Sequence, residues 1–329
     1  MTSATTPGNG RRIGLQVARV LASVLLIVAL FTKADPAGFV HALADANLRW
    51  LLVAMLLLPL AILGRIVSFM VLVNRQERIL NLRQAAYLTL VGAGVGLFLP
   101  VAVGDLLKAR LAWQAHGSSE DMMTATVVDK LTSVAAVAAM GFVGALVTRE
   151  FTLAALAGVV TIVSSLPFVF PRIVPWRLAL RVVMPRQAID EERLRAVIRT
   201  SGPLLAGVLA ISTLGWALSY SMIYAVCRAL GAHVAVGYVF ATAPFMALVS
   251  LLPISLGGIG PGQVTLSALL ARAGVPVGLA VRVSLLQLGL TIVPALLGLI
   301  IYVVRPTVSV QPTETLTPEI AEGSLEKRA

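Results

Sequence analysis

Charge is what this chain has least of. Charged side chains make up 12% of its 329 residues, about half the share usual for a soluble domain. Cysteine is nearly missing as well: Cys227 stands alone, which excludes an internal disulfide and a cysteine-built metal cluster. The three histidines, His41, His116 and His233, are far apart in the sequence and lack metal-ligand spacing. Ser250 and Ser255 have no base nearby in the sequence, and the glycine-lysine loop that cradles nucleotide phosphates is absent. Gly257-Gly258-Ile259-Gly260 looks superficially like a nucleotide loop, but it lacks the strand context that would give it meaning. We therefore expect no catalytic residue, cofactor or metal, and no enzyme activity.

What is abundant is apolar residues. They supply 58% of the chain, and the mean hydropathy is +0.92. Runs of about 20 such residues, long enough to cross a bilayer, tile almost the whole length. The expected fold is an all-α polytopic membrane protein with about six full spans plus two broken or re-entrant helical segments. A polar tail over residues 1–12 precedes one transmembrane domain over 13–304, and a Thr-, Pro- and Glu-rich segment over 305–329 lacks apolar periodicity and is expected to be disordered. The first run, Ile13 to Phe31, is too long for a signal-peptide core and reads as a retained span.

The net charge of +11 sits in short loops, so it points to membrane orientation rather than to nucleic acid. Seven arginines crowd residues 171–200, against Asp190, Glu191 and Glu192. This loop and the N-terminus are expected on the cytoplasmic side of the inner membrane. Leu194, Val197 and Ile198 opposite Arg195 and Arg199 suggest helices lying on an anionic lipid surface, the alternative being a topology determinant with no binding role.

The other spans are expected over about Trp50 to Val73, Met122 to Val147, Thr152 to Phe170, Pro203 to Cys227, and Val277 to Val304. Between them lie the two broken segments. From Gln84 the chain runs apolar to Leu99, breaks at Pro100 and Gly104, and resumes as a short helix from Asp105 to Gln114, with Asp105 near its cap. The same grammar returns at Leu252-Pro253-Ile254-Ser255-Leu256-Gly257-Gly258, followed by a short helix from Gln263 to Ala273. The two breaks, near 100–105 and 253–262, look like halves of a duplication. Interrupted helices at matching places in two halves of a chain point to a transporter binding site. If the first break is a re-entrant hairpin, three crossings separate the two, and an odd number makes the second repeat inverted.

Ionisable residues at membrane depth are costly and default to function. Arg65, Asp105, Lys108, Arg110, Asp129 and Lys130 are the candidates, together with Gly257, Gly258, Gly260 and Gln263 at the second break. The structural alternative pairs Arg65 with Asp129 between neighbouring helices and lets Lys130 and Arg110 snorkel to the surface. Asp129 and Lys130 are adjacent, about 100° apart on a helix, so each seeks a partner elsewhere. Gly260 and Pro261 suit a helix start whose unpaired N–H groups would attract an anion.

The motifs around the two breaks resemble the transmembrane-domain family of lysylphosphatidylglycerol synthase, a flippase-like family. Leu99-Pro100, Gly104-Asp105, Lys108 and then Asp129-Lys130 match one of its patterns. Pro253-Ile254-Ser255 with Gly257-Gly258-Ile259-Gly260 matches the other, with Gln263 where an acid is usual. The resemblance covers about Ile13 to Val304 and implies movement of an anionic or polyprenyl-linked lipid between leaflets, membrane lipids being the expected partner. No soluble aminoacyl-transferase domain is present in this sequence, so lysyl transfer is not expected of it. The alternatives are a scaffold or accessory subunit for a lipid- or glycan-modifying enzyme, with that enzyme or a second copy of the chain as partner, and a secondary transporter of a small solute.

Overall fold

The computed structural model describes residues 44, 46–75, 79–98, 101–116, 119–170, 172, 174, 191–200, 202–252 and 259–304. Among them are ten helices and no strand. In chain order these are α1 Leu48–Val73, α2 Leu82–Phe98, α3 Val101–His116, α4 Ser119–Val147, α5 Phe151–Val169, α6 Glu191–Thr200, α7 Gly202–Ala229, α8 Val236–Ser250, α9 Pro261–Arg272 and α10 Val277–Val304. Five of them, α1, α5, α7, α10 and the Met122–Val147 part of α4, are long and apolar enough to cross a membrane. The chain is therefore an all-α polytopic membrane protein. The span expected over Ile13 to Phe31, both tails, Pro100 and 253–258 lie outside the described residues.

Both breaks are antiparallel hairpins. In the first, the position of a Cβ at Gly92 lies 3.1 Å from Gly104 O and 3.3 Å from Lys108 Cβ, and one at Gly104 would lie 3.1 Å from Gly96 N. Helix α3 thus folds back along α2 rather than continuing it, and both outer ends of the pair, Leu82 and His116, return to one side. In the second, Tyr238 Oη donates to Leu269 O at 3.0 Å, and a Cβ at Gly262 would strike Ser250 Oγ. Helices α8 and α9 are paired the same way, with their outer ends on the opposite side.

The pairings are reciprocal. Helix α2 packs on α10, where a Cβ at Gly94 would approach Ala295 O to 2.5 Å, and α4 packs on α8, where one at Gly144 would approach Ala241 N to 2.7 Å. Exchanging α1–α4 for α7–α10 maps each of these seams onto the other. Helices α1 and α7 pack on each other in opposite directions: Asn47 N donates to Ala229 O at 2.8 Å, and a Cβ at Gly64 would lie 3.0 Å from Gly215 Cα. Equivalent helices that run antiparallel require an axis perpendicular to them, so the two halves form an inverted pair about an axis in the membrane plane. Glycine makes the seams, because backbone meets backbone where lipid gives no hydrophobic drive for helix association.

Two buried apolar clusters mark the two ends of the bundle. One gathers Phe69, Leu72, Leu88, Leu111 and Met122 around the first hairpin; the other gathers Tyr220, Ile223, Val239, Leu266 and Leu270 around the second. Helix α6 corrects an expectation here. Its apolar residues Leu194, Val197 and Ile198 belong to the first cluster, so that face packs against protein and not on lipid. An isolated amphipathic pattern cannot say which apolar surface will cover it.

Two boundaries also differ from expectation. Helix α3 begins at Val101, which puts Asp105 inside the helix and not at its cap, and helix α4 begins at Ser119. Helix α9 begins at Pro261 with Gly260 at its N-cap, the start that those two residues suit. Pro59, Pro167, Pro244 and Pro294 lie within helices, as membrane helices tolerate when neighbours re-satisfy the freed carbonyls.

The seams predict an asymmetric response to added methyl groups. Gly94→Ala should lower stability by about 1–3 kcal/mol through overpacking against α10. Gly289→Ala, which meets nothing within 4 Å, should be neutral or stabilising by up to about 1 kcal/mol. Thermal unfolding in detergent compares the two; equal effects would contradict the close α2–α10 approach.

Candidate functional site

Three helices, α1, α3 and α4, carry the ionisable residues to one level. Asp105 and Lys108 are three residues apart on α3 and therefore share a face. Asp129 and Lys130 are adjacent on α4 and point about 100° apart. The outcome is a crossed pair: Lys108 Nζ lies 3.4 Å from Asp129 Oδ2, and Lys130 Nζ lies 3.0 Å from Asp105 Oδ2. The bridges tie the returning arm of the first hairpin to the next span.

Each pair has supporting contacts or a distinct setting. Lys108 is only 5% exposed, and its ammonium sits 3.4 Å above the ring of Phe69, a cation–π contact that partly replaces lost water. Ser68 Oγ donates to Asp129 Oδ1 at 2.9 Å and lies 3.1 Å from Ser212 Oγ. The carboxylate is thereby linked to the α1–α7 seam. Lys130 and Asp105 are half-buried, at 32% and 27% side-chain exposure. Lys130 therefore does not snorkel alone to the surface, and the alternative pairing of Arg65 with Asp129 is replaced by Lys108 with Asp129.

Arg65 faces the same space and has no ion-pair partner among the described residues. The sum of Arg65, Lys108 and Lys130 against Asp105 and Asp129 is one uncompensated positive charge. All five residues line a single cavity of about 350 Å³. The tips of both hairpins reach its wall: Gly96 and Leu97 from the first, Ser250, Leu251, Ile259 and Gln263 from the second. Gln263 is buried, and its Oε1 accepts a hydrogen bond from Gly260 N at 2.7 Å. One of the N–H groups expected to await an anion is thus satisfied within the chain. Gly260 has φ 103°, a conformation that favours glycine.

One charged candidate falls elsewhere. Arg110 is exposed on α3 and is not part of the cavity lining. Gly257 and Gly258 lie outside the described residues.

The structure adds residues that sequence reasoning passed over. Trp216 lines the cavity and donates from Nε1 to Ser133 Oγ at 3.0 Å. Thr89, Tyr220 and Gln287 line it too. Each is a polar residue inside an apolar helix, which was the available signal, but neutral side chains at membrane depth cost too little to stand out beside charges.

The crossed pairs predict a rescue experiment. Asp129→Ala should lower stability by about 3 kcal/mol, because it strands a buried ammonium. Lys108→Met combined with Asp129→Leu should recover most of that loss. Thermal unfolding of the singles and the double checks this; additive losses would contradict direct coupling.

A comparison with protein families gives a match over residues 16–298 to the model described as the lysylphosphatidylglycerol synthase TM region. No curated protein matches the chain.

Proposed function

The chain belongs to the lysylphosphatidylglycerol synthase transmembrane-region family, and from that premise we propose that it moves a lipid with an anionic headgroup between leaflets. The observation that carries the proposal is the Arg65 guanidinium, which has no ion-pair partner among the described residues and faces a cavity that already holds two satisfied ion pairs. Its planar fork suits phosphate recognition, and at membrane depth its charge calls for a counter-ion. The headgroup phosphate fills that place, while the acyl chains stay in the bilayer beside the apolar outer belts of α1, α5 and α10.

The inverted halves support the transport reading. A site between two inverted hairpins can be exposed to either side by rocking one half against the other. The side that carries the ends Val73, His116 and Thr200 is cytoplasmic in this reading, because the arginine-rich 171–200 stretch adjoins it. The chain binds and releases lipid and makes or breaks no bond.

Arg65→Gln should slow transbilayer movement of a fluorescent anionic phospholipid in proteoliposomes by about tenfold or more, the loss of one charge-assisted hydrogen bond. It should leave the thermal stability within about 1 kcal/mol of wild type, because no ion pair is broken. Unchanged rates with and without the protein across a panel of lipids would contradict the proposal and favour the scaffold alternative.

A further inference from the structure

The cavity has a second pole, and it is neutral. Among the described residues, four buried side-chain polar atoms lack a hydrogen-bond partner, and three of them belong to cavity-lining residues: Thr89 Oγ1, Tyr220 Oη and Gln287 Oε1. Tyr220 is fully buried and Gln287 is 5% exposed. A buried polar group left unpaired costs about 1–3 kcal/mol, so orphaned atoms gathered on one cavity point to a ligand that satisfies them.

Their placement separates them from the charges. Tyr220 and Gln287 lie about 14 Å along the helix from Ala229 and Val277, the ends of α7 and α10 on the second hairpin's side, at ~1.5 Å per residue. The crossed ion pairs lie about 12–17 Å from His116 and Ser119 on the other side, by the same rise. For helices of 28 and 29 residues, that leaves roughly 11–17 Å between the two levels. Thr89 is one helical turn from Gly92, which faces Lys108, and so belongs to the charged level.

We infer that the Tyr220–Gln287 level is a subsite for an uncharged, hydroxyl-bearing headgroup attached through a phosphodiester to the lipid. This rests on the transport reading above. A hydroxyl both donates and accepts, so it can pair with the Gln287 Oε1 acceptor or the Tyr220 Oη donor. A bare phosphate monoester held by Arg65 carries no hydroxylated arm to extend to this level. An ammonium headgroup could donate to Gln287, but the cavity's two carboxylates, Asp105 and Asp129, sit at the charged level and are already paired. Gln263, at the tip of the second hairpin, offers no charge to balance a cation.

The test uses phosphatidylcholine proteoliposomes of the full chain doped with tail-labelled phosphatidylglycerol, phosphatidylethanolamine or phosphatidic acid. Wild-type protein should move phosphatidylglycerol at least about fivefold faster than the other two. Gln287→Leu and Tyr220→Phe should each cut the phosphatidylglycerol rate about tenfold, one hydrogen bond to a buried group, and slow phosphatidic acid clearly less. Both variants should melt at or above the wild-type temperature in detergent, since each removes an unsatisfied buried atom. Equal wild-type rates for phosphatidylglycerol and phosphatidic acid, or equal slowing of both in Gln287→Leu, would overturn the subsite and leave transport standing. Failure of wild-type protein to move any of the three would overturn the transport reading and this inference with it.

Discussion

The crossed pairing of Lys108 with Asp129 and of Lys130 with Asp105 is the constraint on which the rest of the site depends. Four charges placed in the half-buried middle of a membrane bundle are tolerable only if they neutralise one another at close range. Close range requires α3 to lie beside α4, and that in turn requires the chain to fold back at the first break. The glycine contacts of α2 with α3 make the reversal sterically possible. The ion pairs make it specific, because a register shift of one residue on α4, or of three on α3, would set like charges together.

With these four charges neutralised, Arg65 is what remains. Its position on α1 places it one helical turn from Ser68, the residue that holds Asp129. The same helix therefore anchors the neutral cluster and presents the uncompensated cation. The opposite half of the bundle repeats the helical scaffold without repeating the charges: its hairpin tip carries Gln263, which caps its own helix. An inverted pair of like scaffolds thus encloses an asymmetric cavity, charged at one level and neutral at the other. In the proposed transport reading, that asymmetry would give a headgroup two distinct ends to match.

Much of this was legible in the sequence. Scarce charge and long apolar runs gave the membrane fold, the echo between Pro100 and Pro253 gave the two hairpins, and the odd number of crossings gave their inversion. Asp105, Lys108, Asp129 and Lys130 stood out because charges at membrane depth are costly. Their partners did not, since pairing depends on which helix faces turn toward each other across the bundle. Arg65 looked like a mate for Asp129 for want of that information. Helix α6 showed an apolar face with no hint that protein, and not lipid, would cover it. The neutral residues Thr89, Tyr220 and Gln287 were invisible because threonine, tyrosine and glutamine in a span are ordinary until their surroundings are known. Proline was an ambiguous marker: Pro100 adjoins a break, whereas Pro244 and Pro294 sit in helices that continue through them.

The most direct test of the central claim, that the cavity holds an anionic lipid headgroup through Arg65, is the lipid that travels with the protein. Mass spectrometry of lipids retained after mild detergent purification should show anionic phosphodiester lipids enriched over the bulk membrane for the wild type, and the enrichment lost in Arg65→Gln. Retained lipids that mirror the bulk membrane in both proteins would contradict it.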